Sequence, residues 1–193
     1  DWNIFNRKVN SRLKIAITAT PMKVTSEFIE ILYKLSLKYL DSIEFIFHDA
    51  GGKEPIRHCI EVFLKEKLHS PVLVKPRTEY DDYLNSLLSC QLFASPYPFG
   101  NGNGFLDCTL SGLIGPCLVK GTFPQNIERH YYILSSFDSL IASSEDEYIN
   151  ILSDLIDYSL QKKEKSNYLP KNIKKPSEII DILSDCTNNY RED

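Results

Sequence analysis

Three glycines fall within five residues in Pro98-Phe99-Gly100-Asn101-Gly102-Asn103-Gly104, with an apolar stretch on either side. Glycine lets a backbone approach a ligand closely and take positive φ at little cost. A helix starting just after such a loop aims free N–H groups and a partial positive charge at whatever the loop holds. That chemistry is an anion cradle formed by Asn101, Gly102, Asn103 and Gly104. A tight Asn/Gly turn with no ligand accounts for the same residues. The lysine-ended phosphate loop and the GxGxxG dinucleotide spacing are both missing. Asp107 stands three residues after Gly104. It could accept ribose hydroxyls beside a bound phosphate, or serve only as a first-turn acid facing the helix dipole. In Thr18-Ala19-Thr20-Pro21-Met22-Lys23, Lys23 could neutralise phosphate as a point charge with Thr20 adding a hydroxyl. It could equally lie in solvent. Val74-Lys75-Pro76-Arg77 could frame a flat heterocycle, or form a plain turn.

Other chemistries find no support. His48, His58, His69 and His130 form no HExxH pair, and Asp81-Asp82 opens a helix, so no metal site is expected. The Gly-x-Ser-x-Gly elbow of serine hydrolases is absent. Five cysteines, Cys59, Cys90, Cys108, Cys117 and Cys186, contain no CxxC pair. An odd count without a secretion signal predicts reduced, partly buried thiols and a cytoplasmic location.

These candidates need elements to position them. Leu13–Thr18 reads as a strand, and Ser26–Leu40 repeats its apolar residues at helical spacing. Strands are expected at Ile43–Phe47, Val72–Val74, Gln91–Ala94, Pro116–Val119 and Leu140–Ala142. Helices are expected at Ile56–Leu68, Tyr80–Leu88 and Phe105–Leu113. A further helix runs from Ser144 to about Lys163, acidic early and basic late, as a helix dipole favours. A last helix is expected over Ser177–Cys186. Alternating strands and helices predict a doubly wound α/β domain with one mostly parallel six-stranded sheet. The expected division is a lead-in over 1–12, a Rossmann-like ligand-binding domain over 13–165 and a C-terminal extension over 166–193. In such folds ligands sit at the carboxyl ends of strands, where the candidate loops fall.

The 193 residues suffice for one such core. The composition is 42% hydrophobic and 25% charged, which excludes a disordered chain. A net charge of −4 disfavours binding to nucleic acid. No apolar run is long enough for a membrane span. The first residues, Asp-Trp-Asn-Ile-Phe, contain no Met and do not resemble a signal peptide. They read as the start of a piece from a longer protein.

Taken together, Ser95 to Cys117 (SPYPFGNGNGFLDCTLSGLIGPC) resembles a signature of the bacterial adhesin N-glucosyltransferases, relatives of the protein O-GlcNAc transferases. That family carries Pro-Phe-Gly-Asn-Thr-Asn-Gly before an Asp-bearing helix and a Gly-Leu-x-Gly turn. Pro98 through Asn101, Asn103, Gly104, Asp107, Gly112, Leu113 and Gly115 match it in order. Ala19 to Lys23 is similar to the family's Met-Lys element, and Tyr80 to Leu84 to its Tyr-x-x-Tyr-Leu segment. The resemblance extends from about Leu13 to Leu155.

It implies the C-terminal, nucleotide-sugar-binding lobe of a GT-B glycosyltransferase that transfers a hexose with inversion and without a metal or cofactor. The implied donor is a UDP-hexose, UDP-glucose, and the implied acceptor is asparagine of an adhesin-type protein. Lys23 and Thr20 would meet the diphosphate, which Asn101 to Gly104 cradle. Asp107 would hold the ribose, and Lys75 and Pro76 would frame the uracil. The acceptor site and proposed catalytic histidine belong to the family's N-terminal lobe, so no general base is assigned here. This chain departs from the pattern in four places. Gly102 replaces a threonine and Lys75 a histidine. Ala50-Gly51-Gly52 stands where the family has Gly-Gln, and Gly121 to Gln125 replaces a Gly-x-Glu followed by histidines. An O-linked enzyme with another sugar, or a nonenzymatic interaction lobe, would share the other residues.

Overall fold

The computed structural model describes residues 11–48, 52–161, 166–169, 178, 179 and 181. The expected last helix, Ser177–Cys186, lies mostly outside them, as do the lead-in up to residue 10 and Lys162 and Lys163.

Four parallel strands form the main sheet: β1 (Leu13–Thr18), β2 (Ile43–His48), β3 (Val72–Lys75) and β4 (Leu92–Phe93), in the order β3-β2-β1-β4. β1 and β2 run in register from Leu13 opposite Ile43 to Thr18 opposite His48. Leu13, Ile15, Ala16 and Ile17 are all fully buried. A strand covered on both faces needs such a nearly continuous apolar run, interrupted here only by Lys14, instead of an alternating one. Helices α1 (Ser26–Tyr39), α2 (Glu54–Lys67) and α3 (Tyr80–Leu88) follow the first three strands. Arg57 of α2, flanked by Glu54 and Glu61, donates to the Val74 carbonyl at 3.0 Å and fixes the end of β3. The Thr25 hydroxyl accepts from the Phe28 N–H as the N-cap of α1 and donates to the Tyr97 carbonyl at 2.7 Å. Through it, the start of α1 is tied to the approach of the glycine loop.

Three expectations are corrected. The six strands divide into four and two, because β5 (Cys117–Leu118) and β6 (Ile141–Ala142) form their own parallel pair. They lie beyond β4, joined to it by a single bridge between Leu92 and Ile114. The reason is chemical. The Phe93 N–H reaches the Ile114 carbonyl at 3.0 Å, but the returning bond would need an N–H at Pro116, which has none. Secondly, the helix expected from Phe105 begins inside the glycine loop, as α4 (Gly102–Leu110). Thirdly, the sequence reading passes straight from the fifth strand to the sixth, yet α5 (Phe123–Leu134) stands between them. The last described helix, α6 (Glu145–Ser159), has the expected acidic first turn but ends before any lysine.

Counting across the bridge, the strand order is 3-2-1-4-5-6, the doubly wound arrangement. Its direction of winding reverses between β1 and β4, which opens a crevice at their carboxyl ends. Cys90, Cys108 and Cys117 are buried and Cys59 is exposed, and none of these four forms a disulfide. None of the described helices is long and apolar enough to cross a membrane.

Close packing replaces the missing ladder beside β4. A methyl group on Gly115 would overlap the Phe93 carbonyl oxygen, which is backbone and cannot turn aside. Gly115→Ala is therefore expected to cost about 1–3 kcal/mol, read as a lower urea midpoint at an unchanged denaturant slope.

Candidate functional site

A cleft of about 1180 Å³ opens at the carboxyl ends of the main sheet. Thr18, His48 and Lys75 bring to it the ends of β1, β2 and β3, and residues 99–104 bring the loop after β4. Every residue singled out in the sequence lines it: Thr20, Lys23, Lys75, Pro76, Asn101, Gly102, Asn103, Gly104 and Asp107. Segments as much as 87 positions apart, Thr20 and Asp107, thus line one cleft, as the switch point of the fold requires.

Asn101 is the junction. It precedes α4 as the N-cap residue, but its side chain makes no capping bond. The carboxamide nitrogen donates to the Thr18 carbonyl and hydroxyl, and the carboxamide oxygen accepts from Lys23 Nζ at 3.0 Å. Lys23 closes a single helical turn, Pro21–Lys23, directly after β1. Burial lowers the pKa of its ammonium, and the charge of Glu128 works in the other direction. Because Asn101 is turned away, the first amides of α4 face the cleft without a side-chain cap. Gly104 makes this geometry possible, since a methyl there would overlap both the Asn101 carboxamide and the Thr18 hydroxyl.

The opposite wall is aromatic and acidic. The Tyr80 hydroxyl donates to Asp107 Oδ1 at 2.7 Å. That bond to Asp107, with burial second, raises the tyrosine pKa. Lys75 Nζ donates to the Ser86 hydroxyl of α3, so its ammonium is held at the base of the cleft. His48, paired with Lys75 across the sheet, is 2% exposed, and its Nε2 has no partner. Burial, helped by the Lys75 charge, pushes its pKa down to about 4, so the ring is neutral at physiological pH.

Several cleft residues escaped the sequence reading, chiefly because α5 did. Ile127 and Tyr131, one turn apart on α5, face the cleft. Phe105 of α4 lies parallel to Tyr131 at 6.3 Å and packs on Tyr132 at 4.5 Å, which joins the two helices. Gln125, fully buried, accepts from the N–H of Lys120 at 2.7 Å and of Thr122 at 3.2 Å, and donates to the Pro98 carbonyl at 2.8 Å. The Thr-x-x-Gln spacing with Pro124 was the available signal: together they mark a helix start. Glu128, three residues on, is 1% exposed and accepts from the Ser95 hydroxyl. Burial pushes its pKa up to about 7 against that bond, the Asn101 N–H and the Lys23 charge.

The cleft so assembled offers the ammonium groups of Lys23 and Lys75, uncapped helix amides, carboxylates and hydroxyls, the set that suits a phosphorylated, hydroxylated ligand. The chain matches no family model. It is 29% identical over 163 residues to UDP-glucose:protein N-beta-glucosyltransferase of Actinobacillus pleuropneumoniae serotype 5b (strain L20), and equally to that of serotype 7 (strain AP76). The match takes in 83% of this chain and 26% of each relative, so the chain spans about a quarter of their length. Among solved structures, a mutant O-GlcNAc transferase from Thermobaculum terrenum superposes with a TM-score of 0.64 over 94% of this chain and 36% of that one, at 12% identity. The resemblance read from Ser95 to Cys117 is thus borne out by the sequence relatives, and the α/β fold by the structural one.

A raised carboxyl pKa carries a sign. Relative to an ordinary glutamate near 4.5, Glu128 binds its proton more tightly when folded, so its contribution to stability is lost as pH rises through about 7. Glu128→Gln removes that dependence. Compared with the parent protein, it is expected to gain up to roughly 2–3 kcal/mol between pH 5 and pH 8, measured by denaturation at both pH values.

Proposed function

Starting from the kinship with the N-glucosyltransferases, we propose that this chain is the UDP-sugar-binding lobe of an inverting, metal-independent protein glycosyltransferase that moves glucose onto asparagine of adhesin-type proteins. One observation carries the reading: the Lys23 ammonium stands 3.0 Å from the Asn101 carboxamide, at the uncapped start of α4 in the switch-point cleft. A diphosphate set there meets a cation and several N–H donors together, oriented before it arrives.

The roles follow from chemistry. Lys23 and the amides of Gly102, Asn103 and Gly104 take the charge that grows on the leaving diphosphate as the glycosidic bond breaks, with Thr20 adding a hydroxyl. Asp107 accepts the ribose hydroxyls and trades its Tyr80 partner for them. Lys75 and Pro76, at the end of β3, frame the uracil. Deprotonation of the acceptor falls to the N-terminal lobe of the same polypeptide. Residues 13–165 form the nucleotide-sugar unit of this arrangement, which works in the cytoplasm.

Calorimetry with UDP tests the site. Lys23→Ala and Asn101→Ala are each expected to weaken binding about 10- to 100-fold, the range for hydrogen bonds to charged groups. Lys23→Ala should also flatten the salt dependence. Unchanged affinity in both variants would overturn the assignment. The whole protein, given UDP-glucose and an Asn-x-Ser/Thr peptide, is expected to glucosylate the asparagine, and product on the hydroxyl residue would reassign the acceptor.

A further inference from the structure

Glu128 has no part in the roles above, yet it lies directly beneath the cradle. Its carboxylate accepts from the Ser95 hydroxyl after β4 and from the backbone N–H of Asn101. Gly100 crosses over it so closely that a Cβ there would come within 2.5 Å of Oε2. Asn101 therefore receives Lys23 on its carboxamide oxygen while its own N–H goes to Glu128. The Lys23 ammonium at the cradle and the buried Glu128 carboxylate below it are thus linked through a single residue.

On the premise that the cleft binds a diphosphate donor, we propose that Glu128 is a positioning residue that gains a proton as the donor enters: ionised beneath the empty cradle as the counter-ion of Lys23, and neutral once the diphosphate is seated. The donor brings two negative charges to Lys23 and the α4 amides. The ammonium is then matched from the cleft side, and Glu128 is left as a surplus anion in the interior. A buried carboxylate without a counter-charge takes up a proton. That proton comes from solvent and returns on release, and only the carboxyl O–H bond forms and breaks. The neutral acid still accepts from Asn101 through its carbonyl oxygen and can donate to the Ser95 oxygen, so the loop keeps its supports.

The neighbouring groups leave this titration to Glu128. Its free-state pKa of about 7 already lies in the neutral range. The thiols of Cys108 and Cys117, and the phenols of Tyr132 and Tyr148, sense its charge from α4, β5, α5 and α6. Burial raises all four well above their ordinary values, so they stay neutral. His48, across the cleft, is neutral for the same reason, since burial, with the Lys75 charge, pushes a base's pKa down. Lys23, lowered by burial, is the remaining candidate, and a variant separates it from Glu128.

UDP-glucose is the appropriate probe, because its diphosphate diester has no ionisation near neutrality. Its binding is measured by calorimetry from pH 6 to 8.5 in buffers of different ionisation enthalpy. Affinity should fall by up to tenfold per pH unit above pH 7, with up to one proton taken up per donor bound. Glu128→Gln should bind with one affinity across the range and take up no proton. Ser95→Ala removes a bond that favours the ionised form, so it should move the midpoint to higher pH. A parent protein that binds equally at pH 6 and 8.5 overturns the proposal and leaves the donor site standing. So does a slope that survives in Glu128→Gln, which would belong to Lys23. Absence of UDP-glucose binding at every pH overturns the donor reading as well. If Glu128→Gln does not fold, proton uptake by the parent and the Ser95→Ala shift decide the matter.

Discussion

The hydrogen bonds of one side chain hold this cleft together. Asn101 ties the end of β1, through Thr18, to the turn that bears Lys23, and does so from the first position before α4. A residue at that place ordinarily spends its side chain on the helix amides. Here it is spent across the switch point, and the helix start is left open to the cleft. Gly104 has no side chain because the folded-back carboxamide fills that space. The position of the cation, the orientation of the amides and the need for glycine are consequences of a single rotamer.

Where the sequence was easiest to read, packing and local preference agreed. β1 carries the buried apolar run Ile15–Ile17, which covers both faces, and α1 opens on a threonine cap and repeats its apolar residues at helical spacing. The residues that line the cleft could be picked out because this fold gathers the loops after its strands at one end of the sheet. The errors arose where local signals conflict with tertiary use. Gly102 and Gly104 argue against a helix on intrinsic preference, yet they occupy its first turn. Pro124 looks like a breaker, but it stands at a helix start, where no N–H is needed. Because α5 was hidden in this way, so were Gln125 and Glu128, the buried pair that support the glycine loop from below. Nothing local to Pro116 shows that a ladder bond would be missed there, since the partner carbonyl belongs to a residue 23 positions earlier, Phe93.

The two walls of the cleft differ in kind. The Lys23–Asn101 side is built from backbone and short polar groups on the ends of rigid elements, which gives it a fixed shape. On the far side, the Tyr80–Asp107 contact is an exposed hydrogen bond between two side chains. Such a bond is easily exchanged for one to a ligand hydroxyl, because both partners can be re-solvated at little cost. A rigid end lined by an ammonium and helix amides, facing an end whose hydrogen bond is easily exchanged, has the chemistry to suit a ligand with one anionic and one hydroxylated part.

The interrupted pairing at Pro116 bears on how this domain moves. Between the four-stranded and two-stranded parts, the backbone bonds from Phe93 to Ile114 and from Ser95 to Pro116 are supplemented by tyrosine hydroxyls: Tyr132 donates to the Gly115 carbonyl and Tyr148 to that of Ser95. Side-chain stitches of this sort can pivot, whereas a continuous ladder cannot. The molecule thus has a seam running beneath the cleft, with β1 and Lys23 on one side and the α5 wall on the other. Asn101, Gly100 and Glu128 straddle that seam, so a change in charge there falls where backbone pairing between the strands is sparse.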